Sequence, residues 1–251
     1  MKFEVKDVTG DVVRVTTEDE RWYIRPTKGK RGIPEIKYLP SITWIASCYP
    51  KGIEFYKWLA STGWDEAKAI KESAGARGSK VHAAIEKLLK EGAFSFNDKV
   101  LNPNTGQEEE LNADEYWCVM TFLNWYKHYE PRIIAVEESF FDESLGVAGT
   151  IDIRCQMPNG RLAIVDVKTS KEIRKDYIIQ LTGHKLAYDN PDEDHDIYTL
   201  QVGYKRNKTG YKFTQLEPSK ELFDLAYAFW KQEFGEEKPL QREFPIKLSL
   251  K

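Results

Sequence analysis

The chain has 251 residues, of which 41% are hydrophobic and 31% are charged, and this composition excludes both a predominantly disordered protein and a collagen-like one. No apolar run approaches the ~18 residues of a membrane-spanning helix, and the chain starts without an apolar signal segment, so we expect a cytoplasmic protein that does not contact membranes. Because the net charge is −3, a surface that binds nucleic acid would need a local concentration of basic residues.

The first predicted elements are strands. Apolar and polar residues alternate over 3–25 around Thr9-Gly10-Asp11, and this pattern predicts a β-hairpin in an N-terminal region over residues 1–37. The basic, glycine-rich segment 28–32 is either a solvated turn or a loop that contacts phosphate.

Residues 38–130 are predicted to form a helical part. Ser41 is a typical N-cap for a short helix, because its hydroxyl can accept a hydrogen bond from a free amide of the first turn. Further helices are predicted over 52–61, 64–91 and 112–129, with a loop over 92–111. Gly75 and Gly78 predict a break in the second of these helices, after which Ser79 would cap a new helix over 80–91. The aromatic residues of 112–129 are expected in the core rather than in a surface that stacks on bases.

The region 131–215 is predicted to contain the main sheet. Strands are expected over 132–141, 147–156 and 161–168, then a helix over 174–189, then strands over 197–205 and 211–215. A C-terminal helix and tail are predicted over 216–251. This order predicts one α/β domain over 1–251, with a central mixed β-sheet flanked by helices.

Two acidic residues and a lysine lie on neighbouring strands of this sheet. A three-residue loop over Pro158–Gly160 would place Asp152 opposite Asp166 on one face, whereas a two-residue loop would place them on opposite faces. Lys168 is two residues after Asp166 and shares its face. We expect the three-residue loop or an equivalent bulge.

Facing carboxylates repel each other unless a cation lies between them or one of them is protonated. Mg²⁺ and Mn²⁺ prefer such oxygen ligands, and an adjacent lysine can hold a water molecule or stabilise charge on a phosphoryl group. Asp152, Asp166 and Lys168 therefore suit metal-dependent hydrolysis of a phosphodiester. A simple salt bridge at the strand end is the alternative.

A set of motifs resembles the PD-(D/E)XK nuclease superfamily: Gly149-x-x-Asp152, Asp166-x-Lys168 and Gln180 on the following helix. Within it, the chain is similar to the RecB-like exonuclease branch through Arg77-Gly78-x-x-Val81-His82, Asp166-Val167-Lys168-Thr169 and Gln180-Leu181. The segment 38–43 is similar to phage exonucleases and to the mitochondrial genome maintenance exonuclease. Because the chain starts without the transit segment expected of the mitochondrial enzyme, the resemblance implies the cytoplasm of a bacterium or a phage-infected host. The resemblance implies a restriction-endonuclease-like core with Mg²⁺ or Mn²⁺ as its cofactor.

The resemblance also implies roles for individual residues. The implied metal ligands are His82, Asp152, Asp166 and the backbone carbonyl of Val167. Asp152, Asp166, Lys168 and Gln180 form the implied catalytic set, in which Lys168 positions the attacking water or stabilises the transition state and Gln180 orients the site. Of the acids before Gly149, we favour Glu138 over Glu137 as a further ligand, and Glu86 is either a supporting acid or a partner in a surface salt bridge.

The implied partner is DNA. The residues expected to contact it are Arg77, Thr169, Lys171, Arg174, His184 and Tyr188. His184 stands where the branch usually has a tyrosine, so it either contacts DNA or packs in the core. Nearby basic residues form either a local positive surface or ordinary solvated turns: Lys175, Lys205, Arg206 and Lys208.

The resemblance and the site chemistry together predict a metal-dependent DNA exonuclease that acts at single-stranded ends in replication, recombination or repair. The alternatives are a flap-type endonuclease and a non-catalytic DNA-binding module that retains the fold. Cys48, Cys118 and Cys155 are too few and too scattered for the iron–sulfur cluster of some relatives, so none is expected.

Overall fold

The computed structural model describes residues 4–9, 12–17, 20–28, 34–189, 193–235 and 239. The first strands are β1 (Glu4–Thr9), β2 (Val12–Thr16), β3 (Arg21–Lys28) and β4 (Pro34–Pro40). They are followed by α1 (Ile42–Ser47), α2 (Ile53–Thr62), α3 (Trp64–Glu91), β5 (Lys99–Asn102), β6 (Gln107–Glu110) and α4 (Ala113–Tyr129). The remaining elements are β7 (Arg132–Asp142), β8 (Val147–Gln156), β9 (Leu162–Lys168), α5 (Lys175–Tyr188), β10 (His195–Val202), β11 (Tyr211–Leu216) and α6 (Lys220–Phe234).

A five-stranded sheet with the order β11-β10-β9-β8-β7 organises the molecule. β9 and β10 are parallel and are joined by α5, whereas the other neighbouring strands are antiparallel. On one face of the sheet, Phe122 of α4 and Val81 of α3 pack in one cluster with Ile153. On the other face, Leu181 of α5 packs against Ile164. The predicted α/β architecture, a central mixed sheet flanked by helices, is confirmed.

The predicted N-terminal hairpin is confirmed by the antiparallel pairing of β1 with β2. β3 and β4 extend it to a four-stranded antiparallel sheet, so the chain is still a strand up to Pro40, where the helical part was expected to have begun. Gly10 and Asp11 of the predicted turn, residues 29–32 of the basic loop and the tail over 240–251 lie outside the described residues.

The predicted start of α1 is also confirmed. Ser41 has extended backbone angles, and its Oγ accepts a hydrogen bond of 3.0 Å from the backbone N–H of Trp44. The helix then places Trp44 against Trp22 and Trp230. This aromatic cluster joins the N-terminal sheet to α6.

The predicted break in the long helix is wrong. α3 runs without interruption from Trp64 to Glu91, through Gly75 and Gly78. Each glycine costs a helix only about 1 kcal/mol, and buried Val81 and Ile85 bind the second half to the core. Continuity of α3 matters for the site, because this helix carries His82.

The predicted loop over 92–111 contains a hairpin of β5 and β6. Its turn begins with the side chain of Asn102, whose Oδ1 accepts a hydrogen bond from the N–H of Asn104, and it ends with Gly106 at a φ of 70°. Turn residues of this kind are as typical of a hairpin as of a loop. The flanking strands carry no strong apolar alternation, which explains why the pattern did not predict them.

The helix over 112–129 is confirmed as α4, which begins with a capping box of Asn112 and Glu115. Phe122 and Trp125 are fully buried, as expected for core aromatics. Within the described residues, none of the helices combines the length and the apolar character that crossing a bilayer requires.

Candidate metal-binding and catalytic site

The hairpin of β8 and β9 has the predicted register. The N–H of Met157 donates to the carbonyl of Arg161 across a three-residue loop, and Ile153 pairs with Val165 further along. Regular pairing stops there. At the next position, the Oδ2 atom of Asp152 accepts the N–H of Val167 at 2.7 Å, so a side chain replaces the backbone as the partner of this amide.

The alternation of side chains along β8 breaks at Asp152. Ile151 packs with Leu181 of α5, whereas Ile153, two residues later, packs with Phe122 of α4 on the opposite face. Strict alternation would have put both isoleucines on one face. As a result, Asp152 lies against α3 while Asp166 lies against α5, which differs from the single shared face that the sequence predicts.

His82 of α3 is the centre of a cluster of possible metal ligands. Its Nδ1 atom lies 3.3 Å from Oε1 of Glu137 and 3.6 Å from Oδ1 of Asp152. One ligand atom from each of the three residues lies within 4.8 Å of the other two. The Nε2 atom is 3.0 Å from the carbonyl oxygen of Val167, a hydrogen bond that fixes the plane of the ring.

Glu137, rather than Glu138, belongs to this cluster. It lies opposite Asp152, because the flanking pairs of the β7–β8 ladder are Val136 with Ile153 and Glu138 with Ile151. Glu137 also has a φ of 50°, in the left-handed region. The preference for Glu138 is therefore wrong: its carboxylate accepts two hydrogen bonds from Arg154, at 2.8 and 3.2 Å.

A turn signal could have identified Glu137 from the sequence. β7 and β8 are joined by a four-residue loop that ends in Gly146, which has a φ of 74°. Asp142 and Val147 pair at its base. Counting back along both strands from this pair places Glu137 opposite Asp152.

Asp166 and Lys168 form a second group, beside α5. The Nζ atom of Lys168 donates to Oδ1 of Asp166 at 2.9 Å and lies 2.7 Å from Oδ2. Gln180 donates to the same Oδ1 at 3.3 Å. The prediction that Asp166 and Lys168 share a face agrees with this ion pair, and Gln180 is placed to orient Asp166.

The charges of the site influence each other because they are close together and only partly exposed to solvent. Burial alone would lower the pKa of His82, but the charge of Asp152 and the hydrogen bond and charge of Glu137 raise it to about 9. Burial raises the pKa of Asp166 above its usual range, although the charge of Lys168 opposes this change. His82 is therefore a cation at neutral pH when no metal ion competes with its proton.

The donor set fits a divalent cation. With His82 neutral, the three carboxylates of Glu137, Asp152 and Asp166 outweigh the one ammonium of Lys168 by two charges, which one divalent ion would neutralise. Carboxylate oxygens with one imidazole nitrogen suit Mn²⁺ and Mg²⁺.

The arrangement differs from the implied ligand set in two respects. Asp166 lies outside the group of three, since Lys168 and Gln180 contact its carboxylate. The carbonyl of Val167 is hydrogen-bonded to His82, so in this structure it orients the histidine.

Several residues expected to contact DNA have other partners. Arg77 is half-buried and donates to Sγ of Cys118, and Arg174 forms an ion pair with Asp176. Tyr188 packs against Phe140 and Arg154.

The remaining expected DNA contacts lie near the site or in the core. Lys171 is exposed, and Thr169 follows Lys168 at the end of β9. His184 is only 1% exposed and packs against Phe140, so of its two predicted roles packing agrees with the structure and DNA contact does not.

The basic residues around the site are partly neutralised. Arg206 pairs with Glu172, and Lys205 pairs with Asp114. Glu86 pairs with Lys90 on the surface of α3, in agreement with the salt-bridge alternative. These pairs reduce the local positive charge that the spacing of basic residues predicts.

The structure has an exposed aromatic surface near the site that the sequence analysis does not predict. α2 and α3 are joined at Gly63 and form a helical hairpin. We define the hairpin surface as Phe55, Tyr56 and Trp58 of α2 together with Trp64 at the start of α3, all of them 39–70% exposed. No residue of α2 is buried. Just before α2, Lys51 forms an ion pair of 3.2 Å with Asp176 of α5, so the hairpin adjoins the segment that follows Lys168.

Comparison with known proteins gives no family assignment, since neither a protein-family model nor a curated protein matches the chain.

Proposed function

We propose that the chain is a divalent-cation-dependent DNA nuclease with a PD-(D/E)XK-type core, and that it degrades DNA from single-stranded ends. The observation that carries this proposal is the convergence of His82, Glu137 and Asp152, near enough to the Asp166–Lys168 ion pair that the charge of Lys168 opposes the rise that burial causes in the pKa of Asp152. A salt bridge at the end of a strand would account for Asp166 and Lys168. It would not account for an additional histidine and two carboxylates drawn together from α3, β7 and β8.

Each side chain has a role in this proposal. His82, Glu137 and Asp152 would hold Mg²⁺ or Mn²⁺, which when bound supplies a Lewis acid for the phosphoryl oxygens and for water. The ammonium of Lys168 holds the attacking water or the developing negative charge of the phosphate. Asp166 accepts a hydrogen bond from that ammonium, and Gln180 donates to the carboxylate of Asp166, so the two residues keep the ammonium in position.

The hairpin surface supports a single-stranded substrate. Exposed aromatic rings stack on unpaired bases with little regard to sequence, because every base offers a π-face. α3 connects this surface with His82 in one continuous helix. A strand whose end reaches the site could therefore lie along α3 and contact Trp64 at its far end.

The test is an assay with purified protein, Mg²⁺ or Mn²⁺ and end-labelled DNA. Linear single strands should be degraded, closed circles should remain intact, and chelation of the metal should stop the reaction. Lys168→Ala should lower kcat at least about 100-fold, by analogy with the loss of one group that stabilises transition-state charge. Lys220→Ala is a matched control, since this lysine lies on the surface of α6 and pairs with Asp224.

Other results would contradict the proposal. Cleavage of closed circles or of branched substrates would favour the endonuclease alternative. Tight DNA binding without metal-dependent degradation would favour a non-catalytic module.

A further inference from the structure

Three buried side chains between α5 and the sheet have polar atoms without a hydrogen-bond partner in the described part of the chain. The atoms are both ring nitrogens of His184, Oγ1 of Thr199 and Oε1 of Gln201. None of the three residues is more than 1% exposed. Buried polar groups are normally hydrogen-bonded to protein or to ordered water, because leaving them unpaired is costly.

The three side chains lie next to the Asp166–Lys168 pair. Thr199 is the partner of Asp166, and Gln201 the partner of Lys168, in the parallel pairing of β9 with β10. Ile197 packs against α5, and residues two and four further along a strand share its face. Thr199 and Gln201 therefore also face α5.

His184 completes the group from α5. It is one helical turn after Gln180, which donates to Oδ1 of Asp166. Burial lowers the pKa of His184 to about 4, so the ring is neutral at pH 7 and offers one donor and one acceptor. The hydroxyl of Thr199 and the amide oxygen of Gln201 add a donor and two acceptors.

We propose that His184, Thr199 and Gln201 bind ordered water molecules that position the carboxylate of Asp166 and, through it, the ammonium of Lys168. Water fits the donor set better than a second metal ion, because the ammonium of Lys168 would repel a cation. It also fits the geometry of Asp166: Oδ1 accepts two hydrogen bonds, whereas Oδ2 lies 2.7 Å from Nζ of Lys168 without a hydrogen bond of its own. A water donating to Oδ2 would fix the plane of the carboxylate.

The water sites can be tested without the proposed function, whereas the positioning role rests on it. A crystal structure at a resolution that shows ordered water should contain water within hydrogen-bonding distance of Thr199 and of His184 or Gln201. A dry, filled interface there would overturn the inference, whether or not the protein is a nuclease.

The positioning role is tested by kinetics at Thr199. Thr199→Val keeps the shape but removes the hydroxyl, and it should lower kcat about 10-fold with KM unchanged, as is typical of residues that orient a catalytic group. Thr199→Ser should restore kcat. Thr182→Val is the matched control: Thr182 is equally buried on α5, but its hydroxyl accepts the N–H of Ser219, so this change should affect thermal stability and not kcat.

The outcomes separate the two proposals. If wild type is active and Thr199→Val retains full kcat, the positioning role is wrong although the proposed function stands. If Thr199→Ser fails to restore kcat, the hydroxyl is not what positions Asp166. If wild type degrades no nucleic acid, the proposed function fails, and the density at Thr199 alone decides whether the water sites exist.

Discussion

Glu137 lies opposite Asp152, and both residues interrupt the regular pairing of their strands. Glu137 has a φ of 50°, and the carboxylate of Asp152 accepts a hydrogen bond from the N–H of Val167. A non-glycine residue in the left-handed region costs of order 1–3 kcal/mol and persists only where its surroundings enforce it. Here the pairs on either side, Val136 with Ile153 and Glu138 with Ile151, enforce this conformation. As a result, the carboxylates of Glu137 and Asp152 both point toward His82.

The carboxylate of Glu137 should be required for metal binding. Glu137→Gln keeps the size of the side chain but removes its charge, so Mn²⁺ affinity measured by calorimetry should fall at least about 10-fold. Glu138→Gln is the matched control, since it weakens the contact with Arg154 on the other face. Equal Mn²⁺ affinities in the two variants would contradict the assignment of Glu137.

The backbone strain at Glu137 predicts an unusual order of stabilities. Glycine adopts a φ of 50° without the steric cost of a Cβ atom, so Glu137→Gly should be more stable than Glu137→Ala by about 1 kcal/mol. At Ser139, in the regular part of β7, glycine should be the less stable of the two. Urea unfolding of the four variants measures both differences, and an alanine advantage at position 137 would show that the strain is absent.

Metal affinity should rise with pH. His82 has a pKa of about 9 without metal, so below that pH a cation must displace one proton from Nδ1, and affinity should increase up to about 10-fold per pH unit. Calorimetry in buffers of different ionisation enthalpy counts the released proton. His82→Gln has no such proton, and a pH dependence that persists in it would assign the effect to another group.

The metal-free fold should respond in the opposite direction. The pKa of His82 is raised above its ordinary value of 6.5, so its stabilising contribution is complete below pH ~6.5 and is lost as the pH rises toward 9. The unfolding midpoint in chelator should decrease over this range in wild type and stay flatter in His82→Gln.

The hairpin surface should bind unpaired bases. Trp64→Ala and Tyr56→Ala should each weaken the binding of a labelled single strand by about 1–3 kcal/mol, the range for loss of one stacked base. Fluorescence anisotropy in chelator measures this, and KM rather than kcat should change in the nuclease assay. Phe229→Ala removes a comparably exposed ring from α6, and the same loss there would mean that stacking is not specific to the hairpin.

Much of the fold could be predicted because its signals are local. The cap at Ser41 and the three-residue loop before Arg161 depend on neighbours in sequence, and each was found where the pattern predicts it. The continuity of α3 through Gly78 was missed because a distant contact of buried Val81 with the core outweighs a local cost. The strands β5 and β6 were missed because their side chains carry no clear alternation.

The sequence by itself determined which residues are available for chemistry: Asp152, Asp166 and Lys168 stand out by type and spacing, and His82 and Gln180 through the resemblance of their motifs to a nuclease family. Only the tertiary structure decided how they are grouped: His82 with Glu137 and Asp152 on the α3 side, and Asp166 with Lys168 and Gln180 on the α5 side. The physical reason is the break in side-chain alternation along β8 at Asp152, which turns the side chain of Asp152 from α5 toward α3. This break depends on how β8 pairs with both of its neighbouring strands, so the spacing of residues along one strand cannot predict it.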